Sequence, residues 1–375
     1  MNAAAPLPRW AELWLLPLLN LGIALAAAGV VVALVGQDPA QVLAVLLHGA
    51  FGTPRGIGYT LYYATSFVFT GLAVAVAFHA GLFNIGGEGQ AILGGLGTGL
   101  VGLWLGSMLP AWALLPLMAL AGATFGLAWA AVPAWLQAHR GSHVVITTIM
   151  FNFIASTLLV WLLVDHLKPA GSMAPESAAL AASAHLPTLH QALGRLGIEW
   201  PASPLNLSAL LALAAAAAVY LLLWRTRAGY RLRSVGASPG AALYAGIDPK
   251  RQVLLAMMIS GALAGLVGMN EIAGVQHKLL LEYVGGAGFT GIAVALMGRN
   301  HPFGIVLAAV LFGALFQGGA EVAFEVGGFS RDMVVMLQGF IVLFSGAMAY
   351  VIAPWVARVL QALPARAPQP ESSRG

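Results

Sequence analysis

Long apolar runs, broken by short polar or glycine-rich interruptions, set the pattern of this chain. They predict helices over Leu13 to Val35, Ile57 to Phe78, Ala91 to Leu109, Ala111 to Leu136, Val144 to Val164, Leu207 to Trp224, Val253 to Ala273, Gly285 to Met297, Phe303 to Ala320 and Met333 to Ile352. Most of these runs are near the ~20 residues that a helix needs to cross a hydrocarbon core. The expected fold is all-α, a polytopic bundle of about ten transmembrane helices in one domain covering 1–375. The run from Gly285 is short and glycine-rich, which marks it as a candidate broken helix. Val42 to Phe51 is amphipathic and too short to cross, and Leu189 to Leu196 reads as a short amphipathic helix within the longest polar loop, Asp165 to Asn206.

One interruption differs from the others. Gly81-Leu-Phe-Asn-Ile-Gly-Gly-Glu-Gly-Gln90 places a carboxylate and two amides among four glycines between two apolar runs. Such groups cost several kcal/mol in hydrocarbon unless they meet partners or line a cavity. The segment is either a turn at the membrane surface or a broken helix beside a solute path.

Composition agrees with the apolar pattern. Of 375 residues, 60% are hydrophobic and 8% charged, against roughly a quarter charged in soluble domains. With no cysteine, disulfides and thiolate metal sites are excluded. The net charge of +4 follows from where the bases sit and implies no nucleic-acid partner. With ten crossings and a cytoplasmic N-terminus, twelve of the seventeen basic residues fall inside and five (Arg55, Lys168, Arg195, Lys278, Arg331) outside, the bias that membrane insertion favours. Both termini are then cytoplasmic, including a tail over 354–375. The 166–206 loop lies outside as an ordered cap or docking surface, and the 225–251 loop lies inside. The first apolar run is expected to be a retained helix, with cleavage near the alanines at 24–28 as the alternative.

Within the inner loop, Ala237-Ser-Pro-Gly-Ala-Ala-Leu-Tyr-Ala-Gly-Ile247 predicts a short helix, with Pro239 in its first turn and Gly246 at its end. It is either a connector on the membrane surface or a knob gripped by another protein; Ala138 to Thr148 offers a smaller inner contact.

Four stretches carry a family resemblance: Asn84-Ile-Gly-Gly-Glu-Gly-Gln90, Ala237 to Ile247, Ile259-Ser-Gly-Ala-Leu-Ala-Gly-Leu-Val-Gly268 and Gly288-Phe-Thr-Gly-Ile-Ala-Val-Ala-Leu-Met-Gly-Arg-Asn300. From about Tyr59 to Gly346 the chain resembles inner-membrane permease subunits of bacterial ABC importers. It is most similar to the ribose and branched-chain amino acid permease superfamily, in the nucleoside-type branch served by lipoprotein receptors. Val144 stands where many members of that branch have an acidic residue.

The resemblance implies transport by alternating access, with no bond chemistry in this chain. It implies an ATPase subunit held through Pro239, Ala241, Ala242, Tyr244, Gly246 and Ile247, a second paralogous permease, and a lipoprotein or periplasmic solute-binding protein on the outer loops. No Gly-x-x-x-x-Gly-Lys-Ser/Thr loop occurs, so ATP is expected on the separate ATPase, and this chain is expected to bind no cofactor itself. The implied cargo is a nucleoside or related purine compound, with a sugar or amino acid as alternative.

Candidate pathway residues are Asn84, Glu88, Gln90, Asn270, Glu271, Phe289 and Thr290. Against this, Asn84, Glu88 and Gln90 would simply cap a helix start, and Glu271, near the outer end of its run, would snorkel to the interface. Gly86, Gly87 and Gly89 read as structural, permitting a break or close helix approach. Asn152 fits an interhelical hydrogen bond. Phe67, Phe69 and Phe289 would stack a base or pack a core. Glu321, Glu325 and Arg331 read as outer-loop charges, and His79 as an interface marker. An ion-coupled transporter would instead use Glu88 and Glu271 as coupling carboxylates. The nine histidines are scattered, and no metal centre is expected.

Overall fold

A computed structural model describes residues 15–327, 333–340 and 354–358. The chain divides into two compact units, one of 1–42 with 332–375 and one of 43–331. In the first unit, α1 (Leu16–Leu34) is apolar except for Asn20. Residues 333–340 and 354–358 are helical; the rest of the expected last span, Arg331 and most of the tail lie outside the described residues. Among the described residues the fold is all-helical, with one isolated bridge, Thr188 to Asn206, and no strand.

The second unit follows α2 (Pro39–Leu47). In chain order it has α3 (Pro54–His79), α4 (Gly87–Leu105), α5 (Ala111–Trp135), α6 (Val144–Leu162), α7 (Leu189–Gly194), α8 (Ser208–Arg225), α9 (Arg227–Ala237), α10 (Pro239–Tyr244), α11 (Pro249–Gly265), α12 (Ala287–Met297) and α13 (Pro302–Glu325). Single π-helical turns lengthen α5 to Arg140 and α6 to Leu167, and a π-helical run at Met269–Gln276 prolongs α11. Six of these segments are long and apolar enough to cross a membrane: Pro54–His79, Ala111–Arg140, Val144–Leu167, Ser208–Arg225, Pro249–Gln276 and Pro302–Glu325. The glycines, Glu88 and Gln90 lower the hydropathy of α4, and α12 has only 11 residues.

Local chemistry sets the helix starts. Thr53 accepts from Gly56 N–H at 3.0 Å, Thr226 from Gly229 N–H at 3.1 Å, Ser238 from Ala241 N–H at 3.3 Å and Asp248 from Lys250 N–H at 3.0 Å. Proline opens α3, α10, α11 and α13, where its missing N–H costs nothing. The 225–251 segment holds more structure than its composition predicts, because α9 buries Leu232 and Val235 and exposes Arg227 and Arg231. Glu321 and Glu325 lie on the last turns of α13 and not in a loop.

The buried helix α3 packs against α8, α11, α12 and α13. Beside it, α4, α5 and α11 meet backbone to backbone. A methyl on Gly94 would overlap Gly265, one on Gly126 would overlap the Gly261 carbonyl, and one on Gly265 would overlap the Gly122 carbonyl. Gly122/Gly126 and Gly261/Gly265 are both small-x-x-x-small pairs, which let helices approach where no hydrophobic effect drives them together.

The long loop between α6 and α8 is docked. Ser177 N–H donates to Leu279 O at 2.9 Å, Leu180 N–H to His277 O at 2.8 Å and Leu186 N–H to Ala273 O at 2.8 Å. Lys278 pairs with Glu176 at 2.7 Å, and the His185 and His277 rings stack 3.8 Å apart. Burial holds His277 below the ordinary imidazole range, with the neighbouring His185 adding to the shift.

Two outcomes follow from this packing. Gly265→Val should cost about 3 kcal/mol through overpacking and reduce the yield of monodisperse protein in detergent, whereas Gly194→Ala, with open space around it, should not. His277 binds fewer protons folded than unfolded, so its contribution is complete above its unfolded pKa and is lost as pH falls below it. Maleimide labelling of Ala184→Cys, at a buried position in a cysteine-free chain, should therefore rise between pH 7.5 and 5.5 when expressed relative to the exposed Met173→Cys labelled at the same pH, which removes the fall in thiolate, and His277→Gln should flatten that dependence.

Candidate functional site

The 81–90 segment lifts the start of α4 off the end of α3. Helix α3 stops at His79, whose Nε2 lies 3.0 Å from Asn300 O. Gly81 turns the chain at φ +76° and lies against Gly236 of α9. Non-helical backbone then leads to Gly86, and α4 starts at Gly87. At 1.5 Å per residue, the 11 residues of α12 reach only about half of a ~30 Å hydrocarbon core.

Buried Asn84 organises the turn. Its Oδ1 accepts from Gly86 N–H at 2.9 Å, and its Nδ2 donates to Gln90 Oε1 at 3.0 Å and to Ser260 Oγ on α11 at 2.9 Å. Ser260 in turn donates to Ala73 O of α3 at 2.6 Å. The two amides also bond reciprocally, with Gln90 Nε2 donating to Asn84 Oδ1 at 3.3 Å.

Two buried helix starts are capped by residues of other helices. On α6, Asn152 Oδ1 accepts from Gly89 N–H and its Nδ2 donates to Ile85 O, both at 2.9 Å. On α4, the half-buried Glu88 accepts from Gly286 N–H at 3.0 Å and Gly288 N–H at 2.8 Å, at the start of α12. So Glu88 caps not its own helix but a neighbouring one. The glycines allow the approach: a methyl on Gly288 would overlap the Glu88 backbone, and one on Gly89 would crowd Asn152. Gly86 faces Gln90 and Thr148, and Gly87 lies against Gly288. On α12, Phe289 is exposed, and Thr290 Oγ1 donates to Gly286 O at 3.2 Å. Phe67 and Phe69 are buried in α3, the packing alternative.

Asn270 and Glu271 form a separate group on the π-helical run. Glu271 does not snorkel; it is buried, accepting from Tyr62 Oη and, at 2.8 Å, from Ser66 Oγ on α3. Asn270 Nδ2 donates to Ser66 Oγ at 2.8 Å, while its Oδ1 accepts from Ser208 Oγ at 2.8 Å and Asn206 Nδ2 at 3.0 Å. Sequence reasoning missed Tyr62, Ser66, Asn206, Ser208 and Ser260. The spacing of Tyr62 and Ser66, one helical turn apart on a buried apolar helix, was the available signal for two of them.

At α10, Ala242 and Ile247 are buried with Val235 of α9 and fix the helix in place. Leu243 and Tyr244 point outward, with Tyr244 97% exposed, and Gly246 ends the helix at φ +76°. Pro239 and Ala241 are also exposed. Among the described residues, no three His, Cys, Asp or Glu side chains gather to hold a metal. The arrangement offers hydrogen-bonding groups and helix ends.

Comparisons agree with this architecture. Residues 56–346 match the family model described as "Branched-chain amino acid transport system / permease component". The chain is 36% identical over 333 residues to the glucose ABC transporter permease protein TsgB13 of Haloferax volcanii, covering 88% of this chain and 86% of that one. It is 35% identical over 337 residues to the guanosine ABC transporter permease protein NupP of Bacillus subtilis, covering 88% and 92%. It is 30% identical over 347 residues to the nucleoside ABC transporter permease protein NupB of Lactococcus lactis, covering 88% and 90%. Its apolar helices, the glycine-mediated packing and a family match over most of its length place this multi-pass membrane protein in the ABC-transporter family of branched-chain amino acid transport system permease components.

Proposed function

We propose that this chain is the transmembrane subunit of an ABC importer that moves nucleosides or related purine compounds across the bacterial inner membrane by alternating access. The observation that carries the reading is near full-length similarity to the guanosine permease NupP, 88% of this chain against 92% of that one. In this reading the chain crosses about ten times, with both termini cytoplasmic and lipid around the outer helices. It binds no cofactor.

ATP is used by a separate ATPase that grips α10. Support comes from a six-residue helix held from behind by Ala242 and Ile247 and presenting Leu243 and Tyr244 outward. An exposed aromatic of that kind, once buried in a partner's pocket, is a common interface hot spot. The docked 176–186 segment gives a lipoprotein or periplasmic solute-binding protein an ordered outer surface. A second, paralogous permease completes the membrane unit; Bacillus subtilis has a second similar guanosine permease, NupQ. Phe289 and Thr290 face the solute path, and Asn84, Glu88, Gln90, Asn270 and Glu271 shape its wall from behind. Gly86, Gly87 and Gly89 keep the wall thin enough for α4, α6 and α12 to meet.

The 36% identity to a glucose permease favours a second reading, a sugar importer of the same construction. Proteoliposomes holding the co-expressed complex, with receptor outside and ATP inside, should accumulate labelled guanosine and not glucose. Glucose uptake alone would replace the cargo, and gradient-driven uptake without the ATPase would overturn the importer reading. Tyr244→Asp should weaken co-purification of the ATPase by about tenfold or more, as expected for loss of a hot-spot side chain, and lower ATP-driven uptake in parallel. Receptor binding should be unaffected.

A further inference from the structure

We propose that Glu88 is a positioning residue for the solute path: its carboxylate, carried on α4, seats the first turn of α12 and does not itself touch solute. This rests on the permease reading above and assigns a role within it.

The N-terminus of α12 lacks the support that most buried helices have. The backbone before it is not helical, and it turns at Glu282 (φ +57°), Gly285 (φ +58°) and Gly286 (φ +80°). Ala287 N–H donates back to Val284 O at 3.1 Å, and Phe289 N–H to Gly286 O at 3.1 Å. For Gly286 and Gly288 N–H the partner is the Glu88 side chain, one oxygen to each. A carboxylate matches two such donors together with the positive end of the helix, because each oxygen accepts and the charge opposes the dipole. A carboxamide has a single acceptor oxygen, and its NH2 would face an N–H.

The fit extends beyond the hydrogen bonds. A Cβ on Gly288 would overlap the Glu88 backbone, so the two helix starts touch with no side chain between them. Tyr283, four residues before α12, donates to Ala91 O of the same α4 at 3.1 Å, and its ring fills the space beside Gly95. Both attachments tie the start of α12 to α4, so a shift of one helix carries the other. One turn beyond the cap, Phe289 stands exposed. Because both Glu88 oxygens are committed to the backbone, the residue acts on solute only through where it holds Phe289 and Thr290.

The test uses the full complex in nanodiscs, comparing Glu88→Gln, Glu88→Asp and wild type by hydrogen–deuterium exchange without solute, and by uptake in proteoliposomes. Glu88→Gln should accelerate exchange across residues 284–292 by about tenfold or more, the loss of hydrogen bonds to a charged acceptor, while 208–225 in α8 stays unchanged. Labelling of Ala293→Cys, unique in a cysteine-free chain, should rise in step. Maximal uptake should fall with KM within about twofold, since uniform binding is untouched, and Glu88→Asp, which keeps the charge, should recover part of both losses.

Unchanged exchange over 284–292 overturns the assignment, and unchanged exchange with a raised KM makes Glu88 a solute contact instead. Acceleration spread over α8 as well makes it a general folding residue and equally overturns it. Because exchange and labelling need no solute, local acceleration in a complex that carries glucose in place of guanosine would displace only the cargo reading.

Discussion

A helix that starts buried in a bundle leaves backbone N–H groups that must find partners within the protein. Much of this structure answers that constraint at two places, the starts of α4 and α12. Neither start relies on its own residues alone. Asn152 of α6 reaches the N–H of Gly89, and Glu88 of α4 reaches the N–H groups of Gly286 and Gly288. The result is a relay in which each helix supplies the cap of the next, from α6 through α4 to α12. The glycines of the 81–90 segment belong to this relay, because side chains there would hold the donors and acceptors apart.

The remaining polar contacts fix the same helices at other heights. Ser260 joins α11 to α3 and to Asn84. Farther along the chain, Glu271 and Asn270 join the extension of α11 to Tyr62 and Ser66 of α3 and to Ser208 at the start of α8. Between these levels, Gly261 and Gly265 bring α11 against the backbones of α4 and α5. Helix α11 is therefore held by hydrogen bonds at Ser260 and in its extension, with close backbone contact between them. Such a scaffold resists sliding while leaving α5, α6 and α8 with broad surfaces for lipid or for another subunit.

Much of the architecture was legible along the chain. Apolar run length located the long helices, and Pro239 and Gly246 marked both ends of α10. The segment around Asn84 stood out because its polarity conflicts with its surroundings. Partnership was not legible. Sequence places Glu88 in the first turn of α4, where capping its own helix is the simplest expectation, and only the fold brings Gly286 and Gly288 within reach. The snorkelling alternative for Glu271 fails for a related reason: position near the end of an apolar run suggests an interface, but the π-helical extension keeps the chain in the bundle and faces it with α3. Helix α9 was missed because its basic residues dominate the composition of the 225–251 segment, while only Leu232 and Val235 mark its buried face.

The head-on arrangement of α4 and α12 also has an electrical consequence. An isolated charge moved across the full membrane potential exchanges about 2.3 kcal/mol per 100 mV, so an uncompensated carboxylate on a moving helix would make each transport cycle answer to voltage. Here the carboxylate of Glu88 sits against the positive end of α12, which favours the charge locally without cancelling it, because a helix dipole has no net charge of its own. Displaced together along the membrane normal, the two helices would carry that charge through the field and make the step answer to the membrane potential.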